Sequence, residues 1–157
     1  MNKVVSMEEL VPLIKEQIDN NGEVTFTPKG TSMLPMLRHN KDTVTLGKAE
    51  SPLKKYQVVF YLRKNGQYVL HRVVKIEKNG YVMRGDNQFF DEPGIEENQI
   101  IGVVQGFTRK GREYSCEDFL YLLYCKVWVN TVTIRKWFRR GRRIAGRVKR
   151  KILRIFG

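Results

Sequence analysis

Residues 56–84 read YQVVFYLRKNGQYVLHRVVKIEKNGYVMR, and this stretch decides the fold. Three runs rich in Val, Tyr and Phe are broken twice by the same tripeptide, at Lys64-Asn65-Gly66 and Lys78-Asn79-Gly80. Asn and Gly tolerate the positive φ that tight hairpin turns require. The stretch therefore predicts an antiparallel meander of Tyr56–Arg63, Gln67–Ile76 and Tyr81–Arg84, with His71 in its central strand. Alternation puts Val69, His71 and Val73 on one face and Leu70, Arg72 and Val74 on the other. Working outward, Glu23–Thr27, Thr43–Gly47 and Gln99–Thr108 carry the same β-branched and aromatic enrichment. The expected fold is mostly β: a small, bent antiparallel barrel, preceded by a helix and followed by a basic helical extension.

Upstream of the meander stands Gly30-Thr31-Ser32-Met33-Leu34-Pro35-Met36-Leu37, and just after it Gly85-Asp86-Asn87. Serine is a poor nucleophile until a base within hydrogen-bond reach takes its proton. A turn serine before one strand and a histidine within a later one are the parts such a pair needs. The order of the boxes, Ser-Met-x-Pro, then His71-Arg72-Val73, then Gly-Asp-Asn, resembles the signal-peptidase superfamily of serine proteases over roughly residues 26 to 108. It is closest to the branch with a Ser–His pair. The resemblance implies Ser32 as nucleophile and His71 as general base, with a third, acidic member just beyond the Gly-Asp-Asn box. Asp91 and Glu92 both stand there, and the sequence does not choose between them. An oxyanion site built on the Ser32 backbone N–H is implied too. Family members often add a hydroxyl two residues earlier; here that position is Gly30, which leaves a backbone donor with Thr31 as helper. The substrate implied is a peptide or protein, bound as an extended strand and cut in a leader or signal-like segment.

Other readings compete. Asp86, between Gly and Asn, suits turn-fixing better than catalysis. His39 lies in a polar turn. Leu34, Met36 and Leu37 fit either the core or an apolar substrate rim. Lys75 would be the base if the chain were a relative of the self-cleaving repressors with a Ser–Lys dyad. It lies four residues beyond His71, about 13 Å along a strand at ~3.3 Å per residue. The N-terminal 22 residues offer one helix and no helix-turn-helix, which weighs against that relation. A non-catalytic binding module on the same fold is the remaining rival.

Charge divides the chain. Residues 1–118 hold 17 Lys and Arg against all 16 acids, whereas residues 119–157 hold 12 basic residues and no acid. Three segments follow: an amphipathic helix within 1–22, a catalytic β domain over 23–116, and an apolar then basic extension over 117–157. In the first, Ser6 and Glu9 suggest a capping box, Val5 and Leu10 a staple, and Leu10, Ile14 and Ile18 a buried stripe. Pro12 is expected to bend this helix or delay its start. In the extension, Trp137 and Phe138 stand among Arg139, Arg140, Arg142 and Arg143, and Ile134 to Ile155 recur at helical spacing. That pattern suits an anionic membrane surface, with nucleic acid as the second reading. Residues 119–134 make a poor span, broken by Lys126 and Asn130. The expected location is cytoplasmic or peripheral on the inner membrane face, with a C-terminally anchored protein as the alternative. Two cysteines without paired spacing and two histidines suggest neither a disulfide framework nor zinc, and no phosphate loop is present. No cofactor is implied.

Overall fold

The computed structural model describes the backbone of residues 7–142. Val5 and Ser6 of the proposed N-cap, Arg143 and the rest of the basic stripe lie outside the described residues.

Helix α1 (Met7–Asp19) buries Val11, Ile14 and Ile18 along one stripe. Pro12 neither delays nor stops it. It sits on the exposed side, where the carbonyl it leaves unbonded can reach water. Asn21, at φ +59°, ends the helix, and the Gly22 N–H donates to Gln17 O.

Eight antiparallel strands follow: β1 (Val24–Phe26), β2 (Thr43–Gly47), β3 (Val58–Leu62), β4 (Tyr68–Glu77), β5 (Gly80–Arg84), β6 (Glu92–Ile95), β7 (Ile100–Arg109) and β8 (Arg112–Ser115). Their pairing order is β1-β2-β7-β3-β4-β5-β6, with β8 added on β7. The meander expected from residues 56–84 is present, and the Arg63 N–H to Gln67 O bond closes its first turn. The sheet is not closed: β1 and β6 stand at opposite ends of the pairing path.

Two strands escape the sequence reading. Residues 91–97 carry no strand pattern, yet Glu92–Ile95 pairs with β5 as an edge strand. Pro93 and Gly94 occupy the irregular step between the Met83–Glu92 and Tyr81–Ile95 pairs, where a missing N–H costs no ladder bond. The short hairpin β7–β8 turns on Lys110 and Gly111, both at positive φ.

Apolar side chains fill both faces of the sheet. On one, α1, the Ser32 loop and helix α2 (Phe119–Asn130) cover Val44, Leu46, Val58, Phe60 and Leu70. On the other, Val59, Tyr61, Val73, Met83 and Val103 pack together. Full burial of each such aliphatic or aromatic side chain is worth about 1.5–3 kcal/mol. The central strand β4 thus carries His71 and Arg72 into two different interiors.

Candidate active site

The Ser32 loop, between β1 and β2, is pinned from three sides. Gly30 adopts φ +100°, a conformation costly to any residue with a Cβ, and its N–H donates to His39 Nδ1 at 2.7 Å. Met33, Met36 and Leu37 anchor the loop in the core. On its far side, Asn87 N–H donates to Ser32 O (2.7 Å) and Asn87 Nδ2 to Thr31 O (3.2 Å). Gly85 fits there because it lacks a side chain: a Cβ would stand 2.8 Å from Ser32 O.

This anchorage sets the Ser32 loop against the turn that follows β5: the Ser32 carbonyl accepts from Asn87 N–H and lies beside Gly85, one residue beyond the Arg72–Arg84 pair that ends the β4–β5 ladder. The Ser32 and His71 side chains are not joined: no hydrogen bond links Ser32 Oγ to His71. Neither Ser32 Oγ nor Ser32 N–H is engaged by another protein group among the described residues. Gly30 N–H, by contrast, is spent on His39 and is not available to an oxyanion.

Ser32 opens on a cleft of about 560 Å³ lined by Leu10, Val24, Phe26, Phe60 and Leu70. The cleft runs beside edge strand β1. Val69 lines it, while His71, two residues further along the same face of β4, does not.

His71 is 2% exposed and belongs to a chain of polar contacts. Tyr61 on β3 is its diagonal neighbour on the same face, since Val59 pairs with His71 and Tyr61 with Val69. Tyr61 Oη lies 3.2 Å from His71 Nδ1 and donates to Glu92 Oε2 at 3.0 Å. The Glu92 carboxylate is itself 3.7 Å from Nδ1 and is gripped by Arg63 through two bonds of 2.7 and 2.6 Å.

These contacts assign protons. Burial raises the Glu92 carboxyl, but hydrogen bonds from Arg63 and Tyr61 outweigh it and hold the group below its ordinary range. Glu92 is then an acceptor only. Burial and the Glu92 charge push the Tyr61 phenol well above its usual value, so it keeps its single proton and donates it in a hydrogen bond to Glu92. Tyr61 Oη is left to accept from Nδ1–H of the imidazole. The tautomer this chain favours carries its lone pair on Nε2. Burial, reinforced by the Arg63 charge and opposed by Glu92 and Asp86, pushes His71 down to about 4. His71 is neutral throughout the physiological range.

The two acidic candidates separate. Glu92 reaches His71 directly and through Tyr61. Asp91, half exposed, turns to Arg84 instead, with Oδ1 2.8 Å from Nε. That pair meets no hydrogen-bond geometry at Nε, so its attraction is Coulombic. Asp86 points to the opposite side of the sheet, where it takes two bonds from Arg72 (2.8 and 2.7 Å) and one from Tyr124 (3.1 Å). Arg72, fully buried, also donates to Tyr56 O, Tyr121 Oη, Cys125 Sγ and Met36 Sδ. It ties the serine loop, the Gly-Asp-Asn turn and α2 into one frame. Lys75 points to solvent and pairs with Glu77 at 2.7 Å, beyond a bulge that breaks its register with His71.

Tyr61 and Arg63 are the site residues that motif reading missed. The signal was present in the hairpin: a three-residue turn at 64–66 fixes the register and sets Tyr61 diagonal to His71. Trp137, Phe138, Arg139, Arg140 and Arg142 lie on helix α3 (132–142) and are exposed. Among the described residues, no three His, Cys, Asp or Glu side chains gather as a metal site, and no helix is long and apolar enough to cross a membrane. No protein-family model matches the chain, and no curated protein matches it.

Proposed function

We propose that the chain is a serine endopeptidase of signal-peptidase type, with Ser32 as nucleophile and His71 as base, cutting a leader or signal-like segment of a peptide. In this reading the open sheet is a variant of the bent barrel of that superfamily. The observation that carries it is the Glu92–Tyr61–His71 chain. It leaves a neutral imidazole with Nε2 unprotonated, on the strand whose next residue, Arg72, ties down the serine loop.

In the proposed reaction, an extended substrate lies along edge strand β1, adding backbone hydrogen bonds and placing side chains in the apolar cleft. Ser32 Oγ attacks the scissile carbonyl while Nε2 takes its proton. The Ser32 N–H faces the developing oxyanion as a fixed dipole. Nε2 then returns the proton to the leaving amine, and water releases the acyl group by the same steps in reverse. Oγ and Nε2 must come together when substrate binds, as catalytic contacts that are long in the free enzyme commonly do. Lys75 is a weak rival base, because Glu77 holds it as a solvated cation.

Mass spectrometry of leader-type peptides incubated with wild type, Ser32→Ala and His71→Ala tests the proposal. Cleavage should fall on the order of 10⁴-fold or more in both variants. Cleavage retained in Ser32→Ala would overturn it.

A further inference from the structure

Helix α2 is apolar nearly all round, yet the body covers only one side of it. Tyr121, Cys125 and Val129 are buried, while Phe119 and Leu120 are each 76% exposed and Leu123 and Val127 about half exposed. Helices hydrophobic on every side belong in a core or in lipid. The α-helical bonding continues past the turn at Thr131, from Thr131 N–H to Val127 O and from Arg135 N–H to Thr131 O. The outer stripe therefore runs on into α3. Leu120, Leu123, Val127, Ile134, Trp137 and Phe138 recur at helical spacing, and the last two are 78% and 71% exposed.

Cations flank this stripe on both sides. Lys126, Lys136 and Arg140 follow one border; Arg135, Arg139 and Arg142 follow the other. No acidic residue occurs after Asp118. Arg135 and Arg139 are held in place over the Phe89 ring, and Arg135 also lies 3.8 Å from the Trp128 ring centre. Phe89, Arg135 and Arg139 line one groove with Leu34, Pro35 and Asn87, so the cationic border abuts the Ser32 loop.

We infer that the outer face of α2 and α3 docks in the plane of an anionic bilayer. The aliphatic stripe with Trp137 and Phe138 enters the interface, and Lys126, Lys136, Arg139, Arg140 and Arg142 meet lipid phosphates, while Arg135 stays bonded to Asp86 O and Trp128 O. Nucleic acid would draw on the charges but leave the aliphatic stripe in water; an anionic leaflet satisfies both. Docked so, the groove of Leu34, Pro35 and Phe89 beside the Ser32 loop stands next to the headgroups. The docking does not depend on the peptidase reading.

Flotation of the full chain with phosphatidylcholine vesicles, with and without phosphatidylglycerol, tests the docking. Trp137 fluorescence is read in a Trp128→Phe background. Binding should need the anionic lipid, weaken with salt, and shift Trp137 emission to the blue. Each of Lys126, Arg140 and Arg142 replaced by Gln should weaken it roughly fivefold. Leu123→Asp with Val127→Asp should abolish insertion while leaving the melting temperature and any Ser32-dependent cleavage of a soluble peptide unchanged. The inference is overturned if the chain ignores anionic vesicles, binds neutral ones equally, binds nucleic acid but not lipid, or if the double variant inserts like wild type.

Discussion

His71 and Arg72 are consecutive on β4, both are buried, and both touch a carboxylate, yet their surroundings are built for opposite ends. The Arg72 side is saturated: every part of the guanidinium meets a partner, and a bidentate carboxylate balances its charge. On the His71 side one ring nitrogen is held through a neutral phenol and the other meets no partner among the described residues. The pair shows how one strand supplies a frame on one face and a neutral, partly unsatisfied imidazole on the other. Burial serves the frame by strengthening a satisfied ion pair. On the other face it keeps the imidazole uncharged.

Breaking the frame should have the largest effect. Asp86→Ala leaves Arg72 charged, buried and unpaired, and should cost about 3–5 kcal/mol in denaturant unfolding. The double replacement Arg72→Met with Asp86→Leu should cost less than either single change, because it removes both charges. A loss under about 1 kcal/mol for Asp86→Ala would mean the ion pair does not hold the frame.

The His71 face should reveal itself through pH. His71 stays neutral in the folded protein down to about 4, whereas in the unfolded chain it protonates near ~6.5. Within that window the unfolded state binds more protons. Stability is therefore full above about pH 6.5, declines as pH falls toward 4, and is flat below. The total is about 3 kcal/mol. Unfolding curves of wild type and His71→Leu across this window should differ in slope. Parallel curves would show that His71 is solvated. For the same reason, kcat/KM should hold to well below the pH 6.5 expected of an ordinary histidine base.

The smallest effects separate the acids. Tyr61→Phe cuts the proton chain and should lower kcat/KM about tenfold to a hundredfold, part of the ~10²–10⁴ a positioned base supplies. Glu92→Gln should fall in the same range. Asp91→Asn removes an ion pair whose carboxylate is half exposed and makes no contact with His71, and should leave activity unchanged. Equal losses in Asp91→Asn and Glu92→Gln would return the third member to open choice.

The meander was legible because Lys64-Asn65-Gly66 and Lys78-Asn79-Gly80 punctuate β-rich runs, and turn chemistry is local. Edge strand β6 was not, since Pro93-Gly94 looks like a reversal and is a bulge instead. The choice of Glu92 over Asp91 was hidden for a related reason: without β6 there is no register to aim either carboxylate. The Arg72 frame joins groups from Met36 to Cys125, and no sequence window contains it. The position of the His71 titration was equally out of reach, because desolvation belongs to the fold and not to the residue.

Helix α2 has two sides with two tenants. Its inner side gives Tyr121 and Cys125 to Arg72, Tyr124 to the Asp86 carboxylate and Trp128 Nε1 to Asp86 O (2.9 Å). Its outer side carries the exposed apolar stripe. A single helix diameter, about 10 Å, separates the two. The helix is thus a strut in the mechanical sense: a load taken up by its outer side is borne inward by these contacts onto the turn that positions Ser32.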